Sequence, residues 1–128
     1  MTAFTMQLPA LMERAGHGLI SAGYDASEPY AITFGFDTVQ PGLEWVISRD
    51  LLADGLIHGK AGEGDVKVTA RGDLVVLGLC SPDGSAAVVL RRDDVDILLD
   101  RVYRIVARGA ESQHLDWSDT TEFPGVAL

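Results

Sequence analysis

The side chains able to do chemistry are scattered, and their spacing limits what they can do. Gly59-Lys60-Ala61-Gly62-Glu63-Gly64 has the glycines and the lysine of a phosphate-cradling loop. No Gly-Lys-Ser/Thr closes it, however, and Glu63 would repel a phosphate, so it reads as a plain exposed loop. His17, His58 and His114 lack metal-ligand spacing and read as ordinary surface or half-buried histidines. Cys80 lies in an apolar run and reads as a core residue before a nucleophile. Ser81 and Ser85 lack the Gly-x-Ser-x-Gly elbow. Asp93, Asp94 and Asp96 imitate an acidic cluster, yet capping of a helix accounts for them. Arg71-Gly72-Asp73 spells an adhesion tripeptide but falls at a hairpin turn. Residue chemistry alone therefore points to no enzyme, no cofactor and no metal.

One charged group remains to be placed: Arg49, Asp50 and Asp54. They belong to Leu43–Leu56, which reads as a strand running straight into a short helix. Leu43, Trp45 and Ile47 alternate with Glu44, Val46 and Ser48, the period of a strand with one buried face. Ser48 is a natural N-cap. Gly55 can take the left-handed position that ends a helix 49–54, with Leu56 folding back on Leu51. Leu51 and Leu52 then pack inward, and Arg49, Asp50 and Asp54 face outward together. The plain reading is a solvated face; the other is a contact surface for a sister subunit or a partner, with Arg49 as anchor.

The elements around this stretch follow from alternation and turn chemistry. Residues 3–8 read as a strand and residues 17–24 as a weaker one. Tyr30, Ile32, Phe34 and Phe36 share one face, and a turn at 39–42 returns the chain into 43–48. Residues 58–64 read as a loop. Val66, Val68 and Ala70 alternate with Asp65, Lys67 and Thr69. Leu74–Cys80 is apolar on both faces, as in a central strand. Ser81-Pro82-Asp83-Gly84 is a β-turn that leads into a strand at 85–90. These short links imply antiparallel neighbours. Val95, Leu98, Leu99, Val102, Ile105 and Val106 form one stripe of a long amphipathic helix over 93–108, stopped by Gly109, with an Asp100–Arg104 pair on its outside. Residues 112–128 read as an extended or loosely docked tail, with Leu115, Trp117 and Phe123 as anchors. No internal repeat is visible.

The chain has 128 residues, 47% of them hydrophobic. That suits one folded domain over 1–128 of α+β class: a mostly antiparallel sheet of about seven strands with one long and one short helix. The single cysteine suits a reducing cytoplasm, and neither a membrane span nor a signal peptide is expected. The net charge of −9 opposes non-specific binding to nucleic acid or to anionic lipid. Strands 3–8, 30–36 and 74–80 offer more apolar surface than one long helix covers, so self-association is expected.

Five segments together resemble a known family. Tyr24-Asp25-Ala26-Ser27-Glu28-Pro29-Tyr30-Ala31-Ile32 is similar to its Tyr-Asp-x-x-Asp-Pro-Tyr-Ala-Val. The run Trp45–Leu56 is similar to its Trp-x-Phe-Ala-Arg-Asp-Leu-Leu-x-Glu-Gly-Leu. Gly62–Val68, Ser81–Ala86 and Val106–Glu111 resemble its Gly-x-Gly-Asp-Val-x-Val, Ser-Pro-x-Gly-x-Ala and Val-Pro-x-Gly-x-Glu blocks. Order and spacing agree over roughly residues 24–116. The family is the SsgA-like sporulation and cell-division regulators of actinobacteria, nearest its SsgB-type members. Ala107 replaces a proline, so the long helix is expected to run about a turn further. The tail, with Pro124-Gly125, does not look like the family's acidic C-terminal helix.

The resemblance implies a Whirly-like fold and a homo-oligomer, a trimer. It also implies a non-enzymatic adaptor in septum-site selection and septation, recruited from the cytoplasm to the division septum. Its implied partners are the tubulin-like division protein FtsZ or another SsgA-like protein. A single-stranded nucleic-acid binder is the alternative by fold analogy, and the acidic charge fits it poorly.

Overall fold

Four antiparallel strands and a helix, then four more strands and a second helix, make up the architecture of the computed structural model, which describes residues 2–115. The first unit is β1 (Ala3–Met12), β2 (Gly16–Asp25), β3 (Ala31–Gly35), β4 (Glu44–Ser48) and α1 (Arg49–His58). The second is β5 (Lys60–Glu63), β6 (Val66–Arg71), β7 (Leu74–Ser81), β8 (Gly84–Arg91) and α2 (Arg92–Ile105). A 3-10 turn follows at Glu111–His114. The strands form one sheet in the order β4-β3-β2-β1-β8-β7-β6-β5. Its two halves meet where Ala10, Leu11 and Met12 pair with Leu90, Val89 and Val88. Each half is a meander of hairpins, which is why the short links of the sequence suffice.

The inner face of the sheet carries the core, and the alternation in the sequence decides which residues reach it. Leu8, Ile20, Ile32, Phe34, Ile47, Val68, Val75 and Leu77 are buried there. Val95, Leu98 and Val102 of α2 pack against them, as the helical stripe requires. Tyr30 lies just before β3 and is 51% exposed, so the expected apolar face of that strand begins at Ile32. Asp100 and Arg104 pair at 2.9 Å on the outside of α2. Asp93 and Asp94 lie in the first turn of α2 but make no side-chain cap; Asp94 binds Arg91 at 2.9 Å. They favour the helix through its positive end instead.

Several boundaries differ from the expectation. Helix α1 does not stop at residue 54: it runs to His58, and Gly59, with φ 83°, ends it. Gly55 sits inside the helix because a Cβ there would lie 2.4 Å from Val68 Cγ1. It is the point where α1 touches β6, and only glycine allows that approach. Residues 60–63 are not a loop but edge strand β5, paired with β6 from Lys60↔Thr69 to Glu63↔Val66. This is the eighth strand. Cys80 is exposed near the end of β7 and is not in the core. Helix α2 ends at Ile105 even without the proline, since Val106 turns to an extended φ of −134°. In the tail, Leu115 is half-buried, while Trp117 and Phe123 lie outside the described residues.

Ser48 does cap α1, its hydroxyl accepting from Leu51 N at 3.2 Å. Ser48→Ala is expected to lower stability by about 1 kcal/mol. Chemical denaturation should show this as a lower midpoint with an unchanged slope.

Candidate functional site

Arg49 is the first residue of α1, and its side chain is fully buried. This corrects the outward orientation expected from a solvated helix face. The alternation of β4 explains it: Ile47 points inward, Ser48 outward, and Arg49 continues the phase inward. Its position is also informative, because a cation at a helix N-terminus works against the helix dipole. Such a residue needs other partners, and Arg49 has them on three sides.

The guanidinium donates to Glu111 Oε1 at 2.8 Å, to Tyr24 Oη at 3.2 Å, to Ala107 O at 3.3 Å and to Val106 O. Its plane lies 4.4 Å from the Tyr103 ring centroid, within cation–π range. Tyr24 Oη in turn donates to Pro29 O at 2.9 Å. Glu111 also accepts from Gly109 N at 3.1 Å. One side chain thus ties the end of β2, the 25–30 turn, the start of α1 and the chain after α2. Of the guanidinium nitrogens, Nε has no hydrogen-bond partner.

Outside this knot lies a second layer. Tyr103 Oη donates to Asp50 Oδ1 at 2.6 Å. Arg108 grips Asp54 with two bonds, at 3.1 and 3.3 Å, and reaches Asp50 at 3.5 Å. Asp50 and Asp54 are half-buried, as ledge residues rather than free charges. Of the three residues expected to face outward together, Arg49 is therefore separated from the other two by the protein surface itself.

The electrostatics follow from these contacts. The Arg49 hydrogen bond, helped by the backbone N–H groups of Glu111 and Gly109, holds the Glu111 carboxyl at about 2. Burial, then the bond to Asp50, pushes the Tyr103 phenol well above its ordinary value. Burial also raises Tyr24, with the Arg49 charge opposing it. Both phenols stay protonated near neutrality and serve as fixed donors. The arrangement braces; its charges are spent on one another. His17, His58 and His114 are all exposed. Among the described residues no three His, Cys, Asp or Glu side chains form a metal-holding group.

A pH dependence follows. Glu111 is depressed from its ordinary 4.5 to about 2. Its contribution to stability is complete above the ordinary value and is lost as pH falls through that window. Glu111→Gln removes this contribution. The gap in melting temperature between parent and variant should therefore shrink from pH 4.5 towards about 2. A gap that stays constant across the window would contradict the pairing.

Tyr24, Tyr103, Arg108 and Glu111 do not stand out as site residues by type or spacing in the sequence. The signal for two of them lay in the motif blocks. Tyr24 and Pro29 belong to the first, Arg49 to the second, and Val106, Gly109 and Glu111 to the last; all converge on one knot.

Comparison with known proteins agrees with this pattern. The family model described as Streptomyces sporulation and cell division protein, SsgA, matches residues 19–111. The sporulation-specific cell division protein SsgB of Salinispora tropica is 44% identical over 103 residues, 75% of this chain and 71% of that protein. The SsgB protein of Streptomyces coelicolor is 39% identical over 98 residues, 73% of this chain and 71% of that protein. The crystal structure of an SsgA-like sporulation-specific cell division protein from Thermobifida fusca superposes with a TM-score of 0.77 at 27% identity, covering 94% of both chains.

Proposed function

The chain belongs to the SsgA family of sporulation and cell division proteins, and from that premise we propose that it is a non-enzymatic adaptor in septum-site selection and septation. The observation that carries this reading is the family match across 19–111 together with relatives named as sporulation-specific cell division proteins. The family is one of division regulators and not a known enzyme family. The geometry is compatible with an adaptor: the motif residues of the Arg49 knot stiffen the frame, and apolar side chains remain on the surface. The nucleic-acid alternative gains nothing from these relatives, and the charge of −9 opposes it.

The adaptor works as a homo-oligomer recruited to the septum. Leu11, Leu19 and Leu74 are 43%, 54% and 47% exposed on the outer sheet face. There the register sets Pro9 beside Leu19 and Leu11 beside Val89. A patch of this kind suits association with further copies. We take a trimer as the assembly to test, and FtsZ or another SsgA-like protein as the partner. Asp50 and Asp54 are the part of the anticipated contact surface that a partner can reach. Two experiments decide. A fluorescently tagged copy in an actinobacterial host should concentrate at forming septa; one that stays diffuse through septation refutes the adaptor. Sedimentation at tens of micromolar, roughly where a weak oligomer still forms, should show more than a monomer.

A further inference from the structure

Strand β4 is one edge of the sheet, and half of its backbone has no ladder partner. The β3–β4 ladder is bounded by Phe36 N donating to Leu43 O at 2.9 Å and Arg49 N donating to Tyr30 O at 3.0 Å. In the register between them, Trp45 and Ile47 direct their N–H and C=O groups toward β3. Glu44 and Val46 therefore direct theirs away from the sheet. The Val46 side chain is 63% exposed as well. The strand carries neither a proline nor a lysine, the usual protection of an edge.

Beside this edge opens a groove of about 750 Å³, lined by Phe36, Leu43, Trp45, Leu79 and Val88 among others. It is the uncovered end of the inner sheet face. Besides Glu44, which borders it from β4, its charged lining residues are Glu13 and Asp83 against a single Arg14. The two faces of β4 thus differ: Trp45 looks into an apolar groove, while Glu44 and Val46 lie on the outer side.

We infer that β4 is a strand-addition site for an extended basic segment of a division partner, with apolar and basic residues at alternate positions. Main-chain hydrogen bonds to Glu44 and Val46 supply affinity, and alternate side chains supply selection. Apolar positions of the segment enter the groove over Trp45. Basic positions meet Glu44 on the outer face, and the net charge of −9 on the whole chain favours encounter with a basic segment. This inference rests on the adaptor reading and names the chemistry of its partner.

The probe is a capped peptide of about ten residues alternating valine and lysine, with a valine–glutamate peptide as control. Titration by NMR should perturb the Glu44 and Val46 amides with the lysine peptide and leave them unmoved by the control. Val46→Pro removes only an outward N–H, at an edge position where proline is tolerated. It should weaken binding at least about tenfold while the melting curve stays cooperative. If that variant does not fold, Glu44→Lys keeps the backbone edge intact and should reverse the preference toward the glutamate peptide. The inference is overturned if the parent binds neither peptide or does not prefer lysine over glutamate. It is also overturned if Val46→Pro binds undiminished. If Val46→Pro instead abolishes self-association, a second copy covers the edge and the inference fails. Failure of the adaptor reading shows separately, as a tagged parent that stays diffuse whatever the peptide does.

Discussion

Arg49→Ala is expected to destabilise the fold by about 3–5 kcal/mol, the cost of breaking a buried, hydrogen-bonded ion pair. For a chain of this length that is a fall of roughly 10–20 °C in melting temperature. The substitution strands more than Glu111. The buried Val106 carbonyl loses this donor as well, and a buried group left without a partner costs about 1–3 kcal/mol of desolvation, part of that total. Ala107 O keeps Ala110 N, and the Tyr24 hydroxyl keeps Pro29 O. For the same reason, a double change to Arg49→Met with Glu111→Leu should not restore the parent. It removes the charge pair, but the buried Val106 carbonyl still lacks its Arg49 donor. Arg49→Lys should recover part of the loss, because one ammonium cannot reproduce the planar fork. Thermal melts of the three variants decide. A loss under about 0.5 kcal/mol in Arg49→Ala, the range of an ordinary surface change, would place the guanidinium in water.

That expectation reverses the one drawn from the sequence, and the reversal shows where local reasoning stops. Periodicity is a local signal and it located the elements that depend on it. Ile32, Phe34 and Phe36 form one buried face; Val95, Leu98 and Val102 form one buried stripe; Ser48 caps α1. The Pro82-Asp83 link joins β7 to β8 as turn chemistry requires. What failed depended on partners distant in sequence. Arg49 reads locally as a helix-surface charge because its acceptors come from β2 and from the chain after α2. Residues 60–63 read as a loop because a short edge strand with glycine carries almost no periodicity, and only β6 defines it. Cys80 falls on the outer face of β7, out of phase with the buried Val75, Leu77 and Leu79, which an unbroken apolar run does not reveal. The two four-strand-and-helix units share an order of elements but no visible repeat of residues.

Gly55 is the most instructive of these, and Gly55→Ala is expected to destabilise the protein by about 1–2 kcal/mol. Helix propensity alone points the other way, since alanine in a helix interior is favoured over glycine by about 1 kcal/mol. The contact decides. An added Cβ would lie 2.4 Å from Val68 Cγ1 and 2.7 Å from Val68 Cβ, and real carbon atoms do not approach so closely. Val68 is fully buried in β6, and its branched side chain has little rotamer freedom with which to retreat. Helix α1 must therefore move off the sheet, loosening Leu52 and Leu56, which pack on the same side. Overpacking of this kind costs about 1–3 kcal/mol, more than the propensity gain returns. Val68→Ala alone should also destabilise, by leaving a cavity. Combined, the two changes should cost less than their sum, because the new methyl enters the space vacated by the valine. Denaturant unfolding of the parent, both single variants and the double closes the cycle. Additivity, or a Gly55→Ala protein more stable than the parent, would mean that α1 and β6 do not meet at this glycine.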